Sequence, residues 1–294
     1  MKMLALSAAL AALFSATASP AATPIRHARP ALWKLADADT TIYLFGTIHA
    51  LPDGIDWRDT RIDAALGASQ ELVLEAVFGD DPAATARELF AMGVKPGLPP
   101  LAERVSPGKR ATLDALVKSS GMPPAALDTM KTWAAGVVLF GHTMRDLGVS
   151  SEAGVEAKLR TLFVGEKKPI EGLETPAQQL GYLDGLSEAE QRVFLDGILE
   201  DPAKNRAELD AMLKAWVRGD EVAIAKSFED DPEMSPELRR VLLEQRNARW
   251  TEWLAKRLDT PGTIFVAVGA GHLAGPESVR AMLAKRGYKV TRVQ

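Results

Sequence analysis

"TIYLFGTIHA" (residues 41–50) and "TIFVAVGAGH" (263–272) share one construction: an apolar β-branched run, a glycine, two further residues and a histidine. Apolar runs without polar alternation are what strands buried on both faces look like, as in a parallel sheet. In an open parallel sheet the ligand crevice lies outside the carboxyl ends of the strands. Two histidines placed just past such ends are therefore expected at one rim. A lone Gly-x-x-His is a weak signal, but the chain has only four histidines, and half of them occupy this position. Gly46 and Gly269 are expected to let the backbone turn sharply off a strand, where a Cβ would obstruct.

Working outward, "ELVLEAVF" (71–78) and "YKVTRV" (288–293) are further strand-like runs bounded by turn signals. A helix predicted over 57–66 makes the first pair a β-α-β unit. "PESVRAMLAKRG" (276–287), with Pro276 near its start and Gly287 as its stop, does the same for the last pair. Strands alternating with helices imply an α/β fold with a mainly parallel sheet built from the N- and C-terminal segments. The intervening chain, about 80–258, reads as a large helical insert acting as a cap. Helices are expected over 83–92, 110–119, 125–147, 154–163, 175–183, 187–200, 203–217 and 237–258, separated by Asp-Pro and Pro-Pro pairs. "KKPIEGLE" (167–174) interrupts them as a short strand and loop.

The composition is that of a globular protein: 294 residues, 47% hydrophobic and 25% charged, which allows a large core. A net charge of −4 with no basic block gives no footprint for nucleic acid. The N-terminus differs from the rest. Lys2 precedes the apolar run "LALSAALAALF" (4–14) and the small-residue tract "SATASPAATP". That is the pattern of a signal peptide over 1–22, too short to span a bilayer. The remainder, 23–294, is then a single α/β domain, periplasmic or secreted, with no membrane span after processing. The chain has no cysteine, so it has no disulfide, thiol nucleophile, thiolate ligand or lipid attachment after the apolar run.

Four strand ends deliver chemistry to the predicted rim: His49, then Glu75 inside an apolar strand, then Glu171 and Glu174, then His272. Imidazole and carboxylate together suit Zn, Mn, Co or Fe, and two His with one or two Glu is the make-up of an open catalytic site. Each residue also has a plainer reading. His49 could cap or hydrogen-bond a loop, Glu75 could pair with an arginine, and Glu171 and Glu174 could be solvated loop charges. His27 is expected to be exposed and His142 to be a partly buried helix residue. Arg246 projects from an otherwise apolar helix face near Trp250 and Trp253; it wants a carboxylate or substrate oxygen, or else it packs between tryptophans.

These residues resemble the TraB/GumN family, which includes the Tiki-type metalloproteases. The resemblance rests on "LWKLADADTTIYLFGTIHALPDG" (32–54), "ELVLE" (71–75), "GVEAKL" (154–159), "KKPIEGLETPAQQL" (167–180), "LLEQRNARW" (242–250) and "FVAVGAGHLAGPESV" (265–279). It implies that the paired Gly-x-x-His elements ending at His49 and His272 are the signature, with Glu75, Arg246 and Asn247 matching further family positions. It also implies a fold similar to erythromycin-esterase-like hydrolases and haem-binding lipoproteins. Tiki-type members are membrane-anchored Mn- or Co-dependent peptidases; this chain shows no anchor and departs from them there.

The expectation is an exported metal-dependent hydrolase, a peptidase in its narrower form, acting on a peptide or small-molecule substrate. His49, Glu75 and His272 would hold a divalent ion (Mn, Co or Zn) or its water. Glu174 would assist, and Arg246 would steady a substrate carboxylate or developing oxyanion. The alternatives are a haem- or metal-binding protein without turnover, and a metal-free esterase with His49 as general base. The export reading predicts a mature N-terminus after Ala18 or Ala22 and release by osmotic shock. N-terminal sequencing that finds Met1 on cytosolic protein overturns it.

Overall fold

A computed structural model describes residues 28–78 and 82–294; the expected signal peptide and His27 lie outside them. Six strands form one sheet: β1 (Leu32–Ala36), β2 (Thr40–Thr47), β3 (Glu71–Ala76), β4 (Ile170–Glu174), β5 (Gly262–Gly269) and β6 (Val290–Arg292). Their order is β4-β3-β5-β2-β1-β6. The four strands from β4 to β2 are parallel, while β1 runs antiparallel to both β2 and β6. The two opening stretches are therefore direct neighbours, with Gly46 opposite Val268 and Thr47 opposite Gly269. Strand β3 pairs with β5 on the other side, so the β2-helix-β3 unit skips over one strand.

Alternation along these strands explains the layers. Phe265 and Ala267 of β5, with Leu72 and Leu74 of β3, join the large core shared with the helical insert. Ile264, Val266 and Val268, with Val73, face a second core made with Trp250, Leu254, Val279 and Leu283. Helices thus cover both sheet faces, and the central strands are apolar throughout because neither face meets water. Among the described residues, no helix is long and apolar enough to cross a membrane.

Three elements depart from the sequence expectation. Strand β1 was not expected; it is joined to β2 by a turn in which the Asp37 carboxylate accepts the N–H of Thr40 at 2.8 Å. The helix Glu221–Glu229, capped by Asp220, was also not expected. The helix expected over 125–147 is two helices, Pro124–Asp128 and Thr132–Asp146. At the break Met130 bridges Val94, with the Lys95 N–H on the Thr129 carbonyl (2.8 Å) and the Lys131 N–H on the Gly93 carbonyl (2.7 Å). The buried Arg104 guanidinium takes the carbonyls of Met130 (2.6 Å), Asp128 (3.2 Å) and Leu127 (3.4 Å). The strand-like pairing takes these residues out of the helix, and the guanidinium satisfies the carbonyls left at its end. The last long helix is unbroken but contains a wide turn, Arg240–Glu244, closed by the Gln245 N–H on the Arg240 carbonyl.

The two rim glycines work differently from the expectation. Gly46 lies within β2 rather than beyond it, and Gly269 has φ −50°, open to any residue. What Gly46 provides is space. A Cβ there would sit 3.2 Å from the Ala270 Cα and 3.3 Å from its Cβ, against the short 3-10 turn Ala270–Leu273 that carries His272. Gly46→Val is accordingly expected to displace His272 rather than His49, and to cost about 1–3 kcal/mol by overpacking. A structure of the variant with His272 unmoved and His49 shifted would restore the sharp-turn explanation.

Candidate functional site

Parallel pairing places the carboxyl ends of β4, β3, β5 and β2 side by side, and each contributes to one cluster. Glu174 ends β4, Glu75 is the penultimate residue of β3, His272 follows β5 by three residues and His49 follows β2 by two. With Arg246 they form a buried set in which no residue is more than 6% exposed. The Nε2 atoms of His49 and His272 each lie 3.7 Å from the same oxygen, Glu75 Oε1.

The Glu75 carboxylate is fixed at both ends. Its Oε1 accepts the Gly269 N–H at 2.7 Å, and its Oε2 accepts from Arg246 Nη2 at 2.7 Å. Glu174 is held by Arg246 Nη2 (2.8 Å) and Nε (3.1 Å), the Trp250 indole N–H (3.1 Å) and the Tyr182 hydroxyl (3.0 Å). Gln179 spans the two carboxylates at 3.4 and 3.3 Å. Gln179 and Tyr182 reach Glu174 because their helix, Pro176–Asp184, starts beside it, capped by a reciprocal Thr175–Gln178 pair.

Arg246 has five N–H groups, and the cluster occupies all of them. Nε goes to Glu174, Nη2 to Glu174 and Glu75, and Nη1 to the Leu242 carbonyl and to His272 Nε2, both at 3.3 Å. The guanidinium also lies 4.7 Å from the Trp250 ring centre, so carboxylate pairing and aromatic packing occur together. Its first task is to hold two carboxylates, and it can steady a substrate oxygen only by giving up one of these bonds. Burial works to lower its pKa, but the charges of Glu75 and Glu174 outweigh that and raise it.

The Nδ1 atoms set the histidine tautomers. Asn247 Nδ2 donates to the Glu277 carbonyl at 2.8 Å, which turns Asn247 Oδ1 to His272 Nδ1 at 2.6 Å. His272 Nδ1 must then carry the proton, leaving Nε2 to accept from Arg246. His49 Nδ1 donates to Glu156 Oε1 at 2.6 Å, an oxygen that also accepts from the Thr47 hydroxyl. Burial is the strongest single influence on His49 and acts to lower its pKa; the charge and hydrogen bond of Glu156, helped by Glu75, raise it overall. For Glu156, burial acts upward, but the charge and hydrogen bond of His49 and the Thr47 bond bring it below its ordinary value. His49 Nε2 is buried without a hydrogen-bond partner.

The structure thus brings together His49, Glu75, Glu174, His272 and Arg246. Glu171 is exposed on β4 and stands apart. His142 pairs with Ser119 (3.0 Å) and Asp146 (3.3 Å) in the insert. Glu156 was not singled out from the sequence. Its available signal was "GVEAKL", a glycine followed by an acidic residue at a helix start, and the helix Val155–Gly165 does begin there. Both histidines are buried, so replacing either with alanine is expected to cost stability as well as remove a site group.

As a test for metal, the donor types fit and both Nδ1 atoms are engaged by acceptors, as in ligating histidines, but only His49 Nε2 is free, since Arg246 Nη1 donates to His272 Nε2 at 3.3 Å. The 3.7 Å spacing is slightly wider than the roughly 3.4 Å between donors that bonds of about 2.0–2.1 Å give in a tetrahedral site. Among the described residues, no group of three or more His, Cys, Asp or Glu side chains is arranged as a metal site.

Removing Arg246 leaves two buried carboxylates facing each other. Arg246→Met is expected to cost about 3–5 kcal/mol, measured by urea unfolding of the metal-free protein. A loss below about 1 kcal/mol, the value of an exposed pair, would show that the cluster does not depend on it.

The chain is 27% identical to "Uncharacterized protein YbaP" of Escherichia coli (strain K12), over 82% of this chain and 87% of that protein. It is 26% identical to an uncharacterized protein of Treponema pallidum (strain Nichols), over 89% of this chain and 82% of that one. No solved structure matches it. The sequence profile of the TraB/PrgY/gumN family matches residues 31–292, a span that includes every residue of the cluster, and the chain belongs to that family.

Proposed function

We propose that the protein is an exported metal-dependent hydrolase, with peptide bonds as its narrower target, centred on His49, Glu75 and His272. The observation that carries this reading is the convergence of two Nε2 atoms, each 3.7 Å away, on one buried Glu75 oxygen. Charge supports it. Glu75, Glu156 and Glu174 outnumber the buried Arg246, with Arg249 3.9 Å from Glu174 at the exposed edge, so the cluster is net negative when both histidines are neutral, which suits a divalent ion such as Mn, Co or Zn. When bound, such an ion would acidify a water molecule and polarise a scissile carbonyl.

The chain's own residues would do the rest. His49 and His272 present Nε2 from rings whose other nitrogens are anchored, so neither needs to reorient. Gly269 and Arg246 hold Glu75 with one oxygen turned to the histidines. Glu174, which accepts from the half-buried Tyr182, would take a proton from the reacting centre and pass it toward solvent. Burial of the cluster keeps bulk water from competing with these contacts.

A second reading has an observation of its own. Arg246 Nη1 donates to His272 Nε2, so a cation already faces that lone pair. In that reading the protein works without metal, and His49 takes the proton of a water attacking an ester.

Metal analysis of purified protein, with chelator-sensitive hydrolysis of casein and an ester panel, separates the two. Wild type is expected to hold about one equivalent of metal, and His49→Gln and His272→Gln to lose both the metal and the activity. Each glutamine variant is also expected to lose about 1–3 kcal/mol of metal-free stability, because a buried partner is left unsatisfied. Activity that survives chelation in wild type and disappears in His49→Gln would move the assignment to the metal-free esterase. A Soret band on adding haem, with no hydrolysis, would move it to a binding protein.

A further inference from the structure

The two histidines are backed by different chemistry. Behind His272 is a neutral amide, Asn247, itself fixed by the Glu277 carbonyl. Behind His49 is a carboxylate, Glu156, 2.6 Å from Nδ1 and on the first turn of its helix, where the helix dipole favours an anion. The backbone is built to keep this contact. The Val155 N–H bonds the Ile48 carbonyl at 3.2 Å, and a Cβ on Gly154 would stand 2.0 Å from the His49 carbonyl oxygen. Only glycine allows the helix start and the His49 backbone to approach so closely. Thr47, two residues before His49, donates to the same Glu156 oxygen.

We propose that Glu156, braced by Thr47, is a positioning residue for His49: it keeps the proton on Nδ1, turns the Nε2 lone pair toward Glu75, and gives His49 an anionic backing that His272 lacks. The unpartnered, buried Nε2 of His49 is the atom this arrangement makes available. A carboxylate behind an imidazole raises its strength as a donor, and loss of such a partner typically costs about 10–100-fold in metal affinity. His49 becomes the stronger donor of the pair. His272, backed by an amide and facing Arg246, becomes the weaker one. The inference rests on His49 being a site group, as proposed above, but the tautomer it predicts exists with or without metal.

The test uses metal-free, full-length protein labelled with 15N histidine, recorded at a pH where both imidazoles are neutral, followed by titration with Co(II). Wild-type His49 is expected to carry its proton on Nδ1. Glu156→Ala should move it to Nε2, the form free imidazole side chains prefer, and weaken Co(II) binding by about 10–100-fold. Glu156→Gln, whose amide oxygen can still accept, should keep the Nδ1 proton and lose less affinity. If the alanine variant does not fold, Glu156→Asp, which keeps the charge and shortens the reach, must give the same change of tautomer. A wild-type proton on Nε2, or a tautomer indifferent to Glu156, overturns the proposal. A tautomer that shifts as expected in a protein that takes up no Co(II) supports the role of Glu156 and removes the metal reading instead.

Discussion

The bonds from Arg246 to Glu75 and Glu174 hold the carboxyl pole of the sheet in its observed form. Two carboxylates on adjacent strands, both buried, would repel each other or take up protons. The guanidinium between them removes that conflict and uses its remaining donors on Leu242 and His272. Such a buried network is a poor source of net stability, because desolvating its charges offsets most of the attraction. What it provides is definition: with every donor of one side chain assigned, the positions of Glu75, Glu174 and His272 relative to one another have little freedom. Glu75 is then presented to the histidines with a single oxygen and at a single angle.

The parts of this arrangement that were legible in the sequence are those with a short-range signature. β2 and β5 are long β-branched runs, and the rule placing ligands at strand ends turned two distant Gly-x-x-His stretches into one site. A glutamate inside the apolar run of β3 signalled a need for a partner, and Arg246 on an apolar helix face signalled the complementary need. That these two needs meet was not visible, because 171 residues separate them. Glu156 was hidden for a different reason: an acidic residue in a first helical turn is commonplace, and only its contact with His49 distinguishes it.

The misread elements follow the same logic. β1 is five residues with a lysine at its centre, too short and too mixed to stand out, and it is a strand because β2 and β6 supply partners on both sides. The stretch 125–147 has good helical spacing, and a bridge from Met130 to Val94, with Arg104 on the freed carbonyls, divides it. Gly46 was correctly marked as special but for the wrong cause: its requirement comes from Ala270, more than two hundred residues away, and not from its own φ. Local propensity gives way in each case to a contact that only the folded chain makes.

The wide turn Arg240–Glu244 works as a phase adjuster. Successive residues of an α-helix are rotated by about 100°, so closing one turn with a five-residue reach offsets everything after it by one such step. Before the turn, Leu238 faces the core of the helical insert; after it, Trp250 and Leu254 face the sheet. One helix thereby belongs to two packing lattices whose preferred alignments differ, and the mismatch is absorbed in one place, just ahead of Arg246. Without that extra reach, the guanidinium would be turned by about 100° relative to the segment that packs in the cap, and so away from its carboxylates.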